Sequence, residues 1–404
     1  MCLTGGFVLI MSKNRFFSRN EAAASSEQQR KASAESRAAM RGFSAYKASE
    51  AVESTQWRQY NKRTGHGHTA EDVNALHDIH RGNDVQKTGW NNSLNGSDRI
   101  VNGVKIQDKY CQTARESVNA FFDSANGKCK YEGQVLEVPL DQYDKAVRIM
   151  QDKIRNGQVP GVDNPADAVK LVRRGCVTYD QAVAMTKFCT KESLWFDVKN
   201  QAVVTSAAGG VGFVVSFLMG KKNGLSDKEA FEHACKSAGK TAAATMMTGV
   251  ATQQFLRTGM GRSAMAVTEK VVKRGLDSGM KSEFGKKVIE KTTSAAFKRE
   301  MSGQVAKRMA TRGLSSNVMT AAIAGAVTSI PDTYRVMNGK ISRKEYGIRM
   351  AERGAGIGGG TAGTWVGMAI GTFFCPGAGT AIGGFIGGML GGIGGSTVAS
   401  KCLR

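Results

Sequence analysis

Residues 354–400 read GAGIGGGTAGTWVGMAIGTFFCPGAGTAIGGFIGGMLGGIGGSTVAS, 47 residues without a charged side chain and with 18 glycines. Gly359, Gly363, Gly367 and Gly371 recur every fourth residue, and so do Gly379, Gly383, Gly387, Gly391 and Gly395 after Pro376. On a helix, a four-residue spacing lines one face with positions that have no side chain, so a second helix backbone can approach closely. Two segments of about 20 residues joined at Phe373-Phe374-Cys375-Pro376 therefore predict a membrane-inserting helical hairpin. A flexible linker would carry serine and charge between its glycines, not Trp365, Val366, Met368, Ile370, Phe385, Ile386, Leu390 and Ile393. A densely packed soluble helical core is the competing reading. Since glycine costs about 1 kcal/mol per helix position relative to alanine, an isolated water-soluble helix of this composition would not survive, and either reading needs tight packing.

The 404 residues suffice for two or three domains, and their formal charge of +22 with a pI near 9.8 predicts anionic partners: acidic lipid headgroups, nucleic acid or an oligonucleotide. Eight cysteines lie scattered with no C-x-x-C pair, which reads as reduced thiols facing a cytoplasm rather than a disulfide framework or a zinc site. The apolar run from Cys2 to Met11 lacks a preceding basic residue and a cleavage site, so it is a poor secretion signal, with Met11 an alternative start. Insertion is then expected from the cytosolic side.

The fold class expected is mainly α: a soluble helical domain with a small β-hairpin, followed by a glycine-rich multi-helix membrane region. Residues 1–63 are expected to form a helical or partly disordered arm whose thin apolar face packs on a partner or a neighbouring protomer. Residues 64–198 look like a compact, mostly helical domain. Its expected helices run from Asp141 to Ile154, from Asn164-Pro165 through Val172, and from Thr178 through Phe188, and Cys129–Tyr131 with Val135–Val138 suggest the hairpin.

The remaining divisions are a first apolar repeat (199–260), a basic amphipathic linker (261–313), and a second apolar repeat ending in the hairpin (314–404). The repeat rests on Asn223-Gly224 followed by Ser226, Lys228 and Glu229, matched by Asn338-Gly339 followed by Ser342, Lys344 and Glu345. Each reads as a helix stop and then a helix N-cap. The tail thus reads as the last piece of a four- or five-helix membrane unit.

Residues 257–312 hold 14 Lys and Arg against 5 Asp and Glu, a local balance of +9. Lys270, Lys273, Arg274, Lys286, Lys287, Lys291, Lys298 and Arg299 are the candidate contacts for lipid or another anion. His66, His68, His77 and His80 lie near Glu71, Asp72 and Asp78, but their spacing matches no zinc pattern, and a polar surface segment is preferred to a metal site. The stretch Ala234-Cys235-Lys236-Ser237-Ala238-Gly239-Lys240-Thr241 nearly spells a phosphate-binding P-loop, yet its first glycine is missing and a helix rather than a strand precedes it. No catalytic motif and no cofactor motif emerges, so a non-enzymatic role is expected.

With its glycine-spaced hairpin and basic segments before it, the chain resembles glycine-zipper membrane-disrupting effectors of bacterial toxin and anti-phage defence systems. That resemblance covers the last fifth of the sequence. It implies a homo-oligomer that permeabilises the inner (cytoplasmic) membrane, soluble before activation and opened in some systems by a nucleotide-derived ligand. The mean hydropathy of −0.28 is low for a constitutive polytopic protein and suits conditional insertion. The alternatives are a nucleic-acid or oligonucleotide binding module, and a membrane-associated structural or virion protein.

Overall fold

The computed structural model of the chain describes residues 5–53, 57–88, 94–297, 300–374 and 378–403. In chain order these form α1 (Gly5–Glu53), α2 (Gly65–His80), β1 (Val85–Lys87), β2 (Arg99–Val101), β3 (Val104–Asp108), α3 (Ala114–Asn119), β4 (Val135–Val138), α4 (Tyr143–Arg155), α5 (Ala168–Leu171), β5 (Val172–Arg174) and α6 (Tyr179–Met185). The longer helices follow: α7 (Lys191–Lys222), α8 (Asp227–Leu256), α9 (Gly259–Gly279), α10 (Glu283–Ala296), α11 (Gly303–Met337), α12 (Arg343–Phe374) and α13 (Ala378–Leu403). They divide into a sheet unit, Glu53–Asn200 with Gln253–Arg262, and a helical unit, Met1–Val52 with Gln201–Thr252 and Ser263–Arg404. The chain is mainly helical with one small sheet, the fold class its sequence predicts.

The sheet unit is built around five short strands in the order β1-β2-β3-β4-β5. The first two pairings are antiparallel and the last two parallel. Its hairpin is not where the sequence reading put it. Val135–Val138 is a central strand, parallel to both neighbours, and Cys129 instead makes an isolated bridge with Phe122. The observed hairpin joins β2 to β3 through Asn102 and Gly103, whose φ angles of 48° and 82° give the left-handed pair that a two-residue hairpin turn demands. Asn-Gly between Val101 and Val104 was the available signal.

Local capping explains the helices around the sheet. Thr113 and Thr178 each form a reciprocal capping box, with Glu116 and Gln181 respectively, and Asn164 accepts from the Ala166 N–H. The helix expected from Asn164 to Val172 is shorter than predicted, because Val172–Arg174 is taken into the sheet as β5. One face of β4 buries Leu136 and Val138 in an apolar core with Val118, Phe121, Phe122, Ala146, Val147, Met150 and Ile154. The opposite face carries Glu137 and is polar.

In the helical unit the two expected repeat segments share their turn geometry. Asn223 and Asn338 each donate from Nδ2 to a carbonyl four residues back, Met219 and Tyr334, both at 2.8 Å. Gly224 and Gly339 follow with φ angles of 83° and 66°, and Ser226 and Ser342 then accept the N–H of Glu229 and Glu345. Helix, left-handed stop, serine cap and helix are thus written twice.

The amino-terminal helix does not wait for a partner. Ala39, Met40 and Phe43 of α1 pack with Val215 of α7 and with Phe385, Met389 and Ile393 of α13, and the Phe43 and Phe385 rings meet edge-on at 5.5 Å. A thin apolar face suffices because α1 presents alanines (Ala32, Ala39, Ala45 and Ala48 are fully buried), which let neighbouring backbones come close.

Candidate functional site

Within the helical unit, α12 and α13 meet backbone to backbone. Gly359, Gly363 and Gly367 face Gly391, Gly387 and Gly383 in antiparallel order, and Gly395 faces Ala355. A methyl group added at any of these six paired glycines would overlap the carbonyl of its partner. Gly371 lies over Gly383, whose added Cβ would come 3.0 Å from the Gly371 Cα. The packing of Gly379 lies outside the described residues, as do Cys375 and Pro376 of the expected joint. The glycine faces therefore meet each other inside one hairpin.

A second glycine row completes the packing. Gly384 and Gly388 receive the side chains of Met368 and Thr364, and Gly392 lies against the Ala38 carbonyl of α1. The sequence carries this row as doublets, Gly383-Gly384, Gly387-Gly388 and Gly391-Gly392, whose first members form the every-fourth-residue series. With both glycine rows turned inward, the hairpin presents Val366, Ile370, Ile382, Ile386, Leu390 and Val398 outward, each 44–63 % exposed.

Among the described residues three helices are long and apolar enough to cross a membrane: Lys191–Lys222, Gly303–Met337 and Ile382–Leu403. Helix α12 is not one of them. Its first turns carry Arg343, Lys344, Glu345, Arg349, Glu352 and Arg353, and glycine dilutes the remainder.

The basic residues fall on α9 and α10. Lys270, Lys273, Arg274, Lys287 and Lys291 are exposed and Lys286 is half-buried, while Lys298 and Arg299 lie outside the described residues. Val267, Val271 and Phe284 stand exposed among them, at 61 %, 62 % and 73 %. A cationic face with scattered apolar side chains is the pattern of a helix lying at a membrane surface.

The histidines do not converge. His66 Nε2 lies 3.0 Å from the Tyr110 carbonyl, and its ring meets Tyr179 edge-on. His68 Nδ1 lies 3.5 Å from Glu71, whose carboxylate raises its pKa. His80 is exposed, and burial lowers the pKa of His77. Among the described residues no three His, Cys, Asp or Glu side chains are placed to hold a metal ion. Nearby Asp72 is taken by Tyr60 and Lys87, and Asp78 by Arg99 and Arg173. The P-loop-like stretch is interior to α8, where backbone N–H groups are consumed by the helix and cannot cradle a phosphate.

The sequence reading missed a buried charge network in the sheet unit. Arg99, 1 % exposed, donates to Asp108 and, at 3.2 and 2.8 Å, to Asp78 and Glu137. Arg173 joins Asp78 and reaches Glu137 from its Nε at 3.0 Å. The strands bring these groups together by register, since Asp108 pairs with Glu137 and Glu137 with Arg173, while α2 supplies Asp78. Asn74, also on α2, donates to Asp108 at 2.8 Å and closes the group from above.

Two guanidinium groups face three buried carboxylates, so one acid is left without a countercharge. Burial, reinforced by the Asp108 charge, pushes Glu137 up to about 8, and burial likewise raises Asp108. Neighbouring Asp98 reaches about 8 through burial and the charges of Glu71 and Asp108. Cys176 is pushed up to about 12 by burial and then by Glu137 and Asp108, which makes it an inert thiol. No sequence motif announces this network, because its members are drawn from four strands and a helix.

Comparison with known proteins reaches this unit. Residues 47–155 match the YeeR C-terminal domain family. A stretch of 99 residues is 48 % identical to "Inner membrane protein YeeR" of Escherichia coli (strain K12), spanning 24 % of this chain and 19 % of that relative. No solved structure matches the chain. The matched segment holds Asp78, Arg99, Asp108 and Glu137 of the network, and residues 156–404, with the three apolar helices, lie beyond it.

Proposed function

We propose that the chain is an inner-membrane protein whose glycine-packed hairpin enters the bilayer and makes it leaky, under control of an anionic ligand, with no enzymatic step. The observation that carries this reading is the hairpin itself. Its glycines are spent holding α12 to α13, so the large aliphatic side chains of the pair point away from the seam, where lipid is the solvent that favours them. In water the same surface would be an unusually extended apolar patch. The candidate spans support it, since only 17–39 % of each most apolar window is buried inside the protein. The YeeR relative, an inner membrane protein by name, supports membrane residence as well.

Because the glycine seam is closed within one hairpin, association between copies would use the outward aliphatic stripe rather than the glycine faces. The cationic face of α9 and α10 would lie against acidic headgroups. The test is expression of the full chain in cells, with membrane fractionation and a potential-sensitive dye. Wild type is expected in the membrane fraction with a collapsed potential. Gly363→Leu with Gly387→Leu should abolish the leak, and unchanged leakage would remove the hairpin from the mechanism. A wild-type chain that stays wholly in the soluble fraction defeats the reading.

A further inference from the structure

We propose that the cleft between α1 and α8 binds a small phosphate-bearing anion through Arg37, Lys236, Lys240 and Arg353. This deepens the ligand-control part of the membrane reading by giving the ligand a place and a chemistry. The cleft lies wholly within the helical unit and encloses about 360 Å³, inside the range of small-molecule sites. It is lined on one side by α1, through residues spaced three or four apart from Gln29 to Ser44, and on the other by the facing stripe of α8, with Thr328 of α11 and Arg353 of α12 also lining it.

Its charge is unbalanced. Four cations line it against Glu229 and Glu232, and Glu229 is turned to the start of α8, where Ser226 donates to it at 2.8 Å. Arg353 is paired with Asp332, but Arg37, Lys236 and Lys240 have no carboxylate partner among the described residues. Arg37, Lys236 and Lys240 are exposed along the cleft, and partial desolvation of Arg37 lowers its pKa with no countercharge beside it.

The polar wall is fixed in place. His233 is held with Nδ1 3.2 Å from the Ser216 carbonyl and Nε2 3.0 Å from the Ser33 hydroxyl, so Nδ1 carries the proton. Ser237 bonds Ser216 at 2.7 Å. Cations from three helices, together with hydroxyl groups, suit an anion with several oxygen acceptors and more than one charge, which a phosphate offers and a simple carboxylate does not. Lys240 and Thr241 belong to the Gly-Lys-Thr run that makes the α8 stretch look like a P-loop, and Lys236 lies within that stretch; here their side chains, not their backbone, face the anion.

The same chemistry has two sources, a soluble phosphate ester and the headgroup of an acidic phospholipid. The full chain, purified in a neutral detergent, is titrated calorimetrically with inorganic pyrophosphate at low salt. A parallel arm measures binding to nanodiscs of phosphatidylglycerol against phosphatidylcholine. Lys236→Glu with Lys240→Glu should weaken binding at least tenfold in one arm, while Lys145→Glu with Arg148→Glu on the exposed face of α4 leaves binding in that arm unchanged. Dependence in the pyrophosphate arm assigns a soluble ester, and dependence in the phosphatidylglycerol arm alone assigns a headgroup.

Helicity by circular dichroism must match wild type; where charge reversal disturbs it, Lys236→Gln with Lys240→Gln is read in the same way. No binding of either probe by wild type, or equal losses in the cleft and α4 variants, overturns the proposal. Lost binding with intact leakage leaves the membrane reading standing with a different control. Retained binding in a chain that does not leak leaves the site and removes the membrane reading.

Discussion

The sheet unit and the glycine hairpin hold their centres together in opposite ways. At the centre of one, five ionised or ionisable side chains from four strands and a helix converge on each other, all but Arg173 buried. At the centre of the other there are no side chains, and two backbones touch. Buried charge fixes position because removing one partner strands the rest, whereas glycine fixes distance because any added atom must occupy space already filled by a carbonyl. The first centre should be sensitive to deletion and to pH, the second to addition and not to pH.

The largest effect is expected from Arg99→Met. Removing the central guanidinium leaves Asp78, Asp108 and Glu137 facing Arg173 alone, at a cost of about 3–5 kcal/mol. Hydrogen exchange in the full chain should show lost protection at Val135–Val138, with the α12 and α13 amides unchanged. Equal loss in both regions would mean that the two centres are not separable.

A smaller effect separates them by pH. Glu137 and Asp98, held near 8 in the folded protein, keep protons between about pH 4.5 and 8 that the unfolded chain has lost. Their contribution to stability is therefore full below about pH 4.5 and is lost as pH rises through 8. Exchange protection of β4 should fall across that window, and Glu137→Gln should flatten the fall. A hairpin that tracked the same curve would break the contrast.

The smallest effect comes from the hairpin. Gly367→Ala adds one methyl group against the Gly383 carbonyl, and helices that cannot interpenetrate must separate, for about 1–3 kcal/mol. Faster proteolysis between α12 and α13, at any pH from 5 to 8, is the expected readout. Alanine tolerated without change would show that the seam is looser than its geometry.

Legibility in the sequence follows the same division. The hairpin was readable because its cause is periodic: glycine every fourth residue specifies a face whatever that face meets. The paired turns at Asn223-Gly224 and Asn338-Gly339 were readable because stop and cap are made by residues within a few positions of one another. The charge network was not, since Asp78 and Arg173 are 95 residues apart and share no pattern before the strands align them. The misplaced hairpin has the same origin. Val135–Val138 has strand composition, but its pairing with β3 and β5 is a long-range fact, whereas Asn102-Gly103 is the hairpin signal that acts at short range.

Read alone, the sequence specifies the long helices, the two Asn-Gly stops and a glycine face on each of the last two segments, but not what that face meets. Tertiary packing turns both glycine rows inward, one against the partner helix and one against Met368, Thr364 and α1. It also decided that α1 packs on its own chain, and that Lys236 and Lys240 face a cleft with Arg37. The physical reason is range. Propensity, capping and periodicity act over about one to four residues, whereas countercharge, desolvation and steric exclusion depend on which distant residues share a volume.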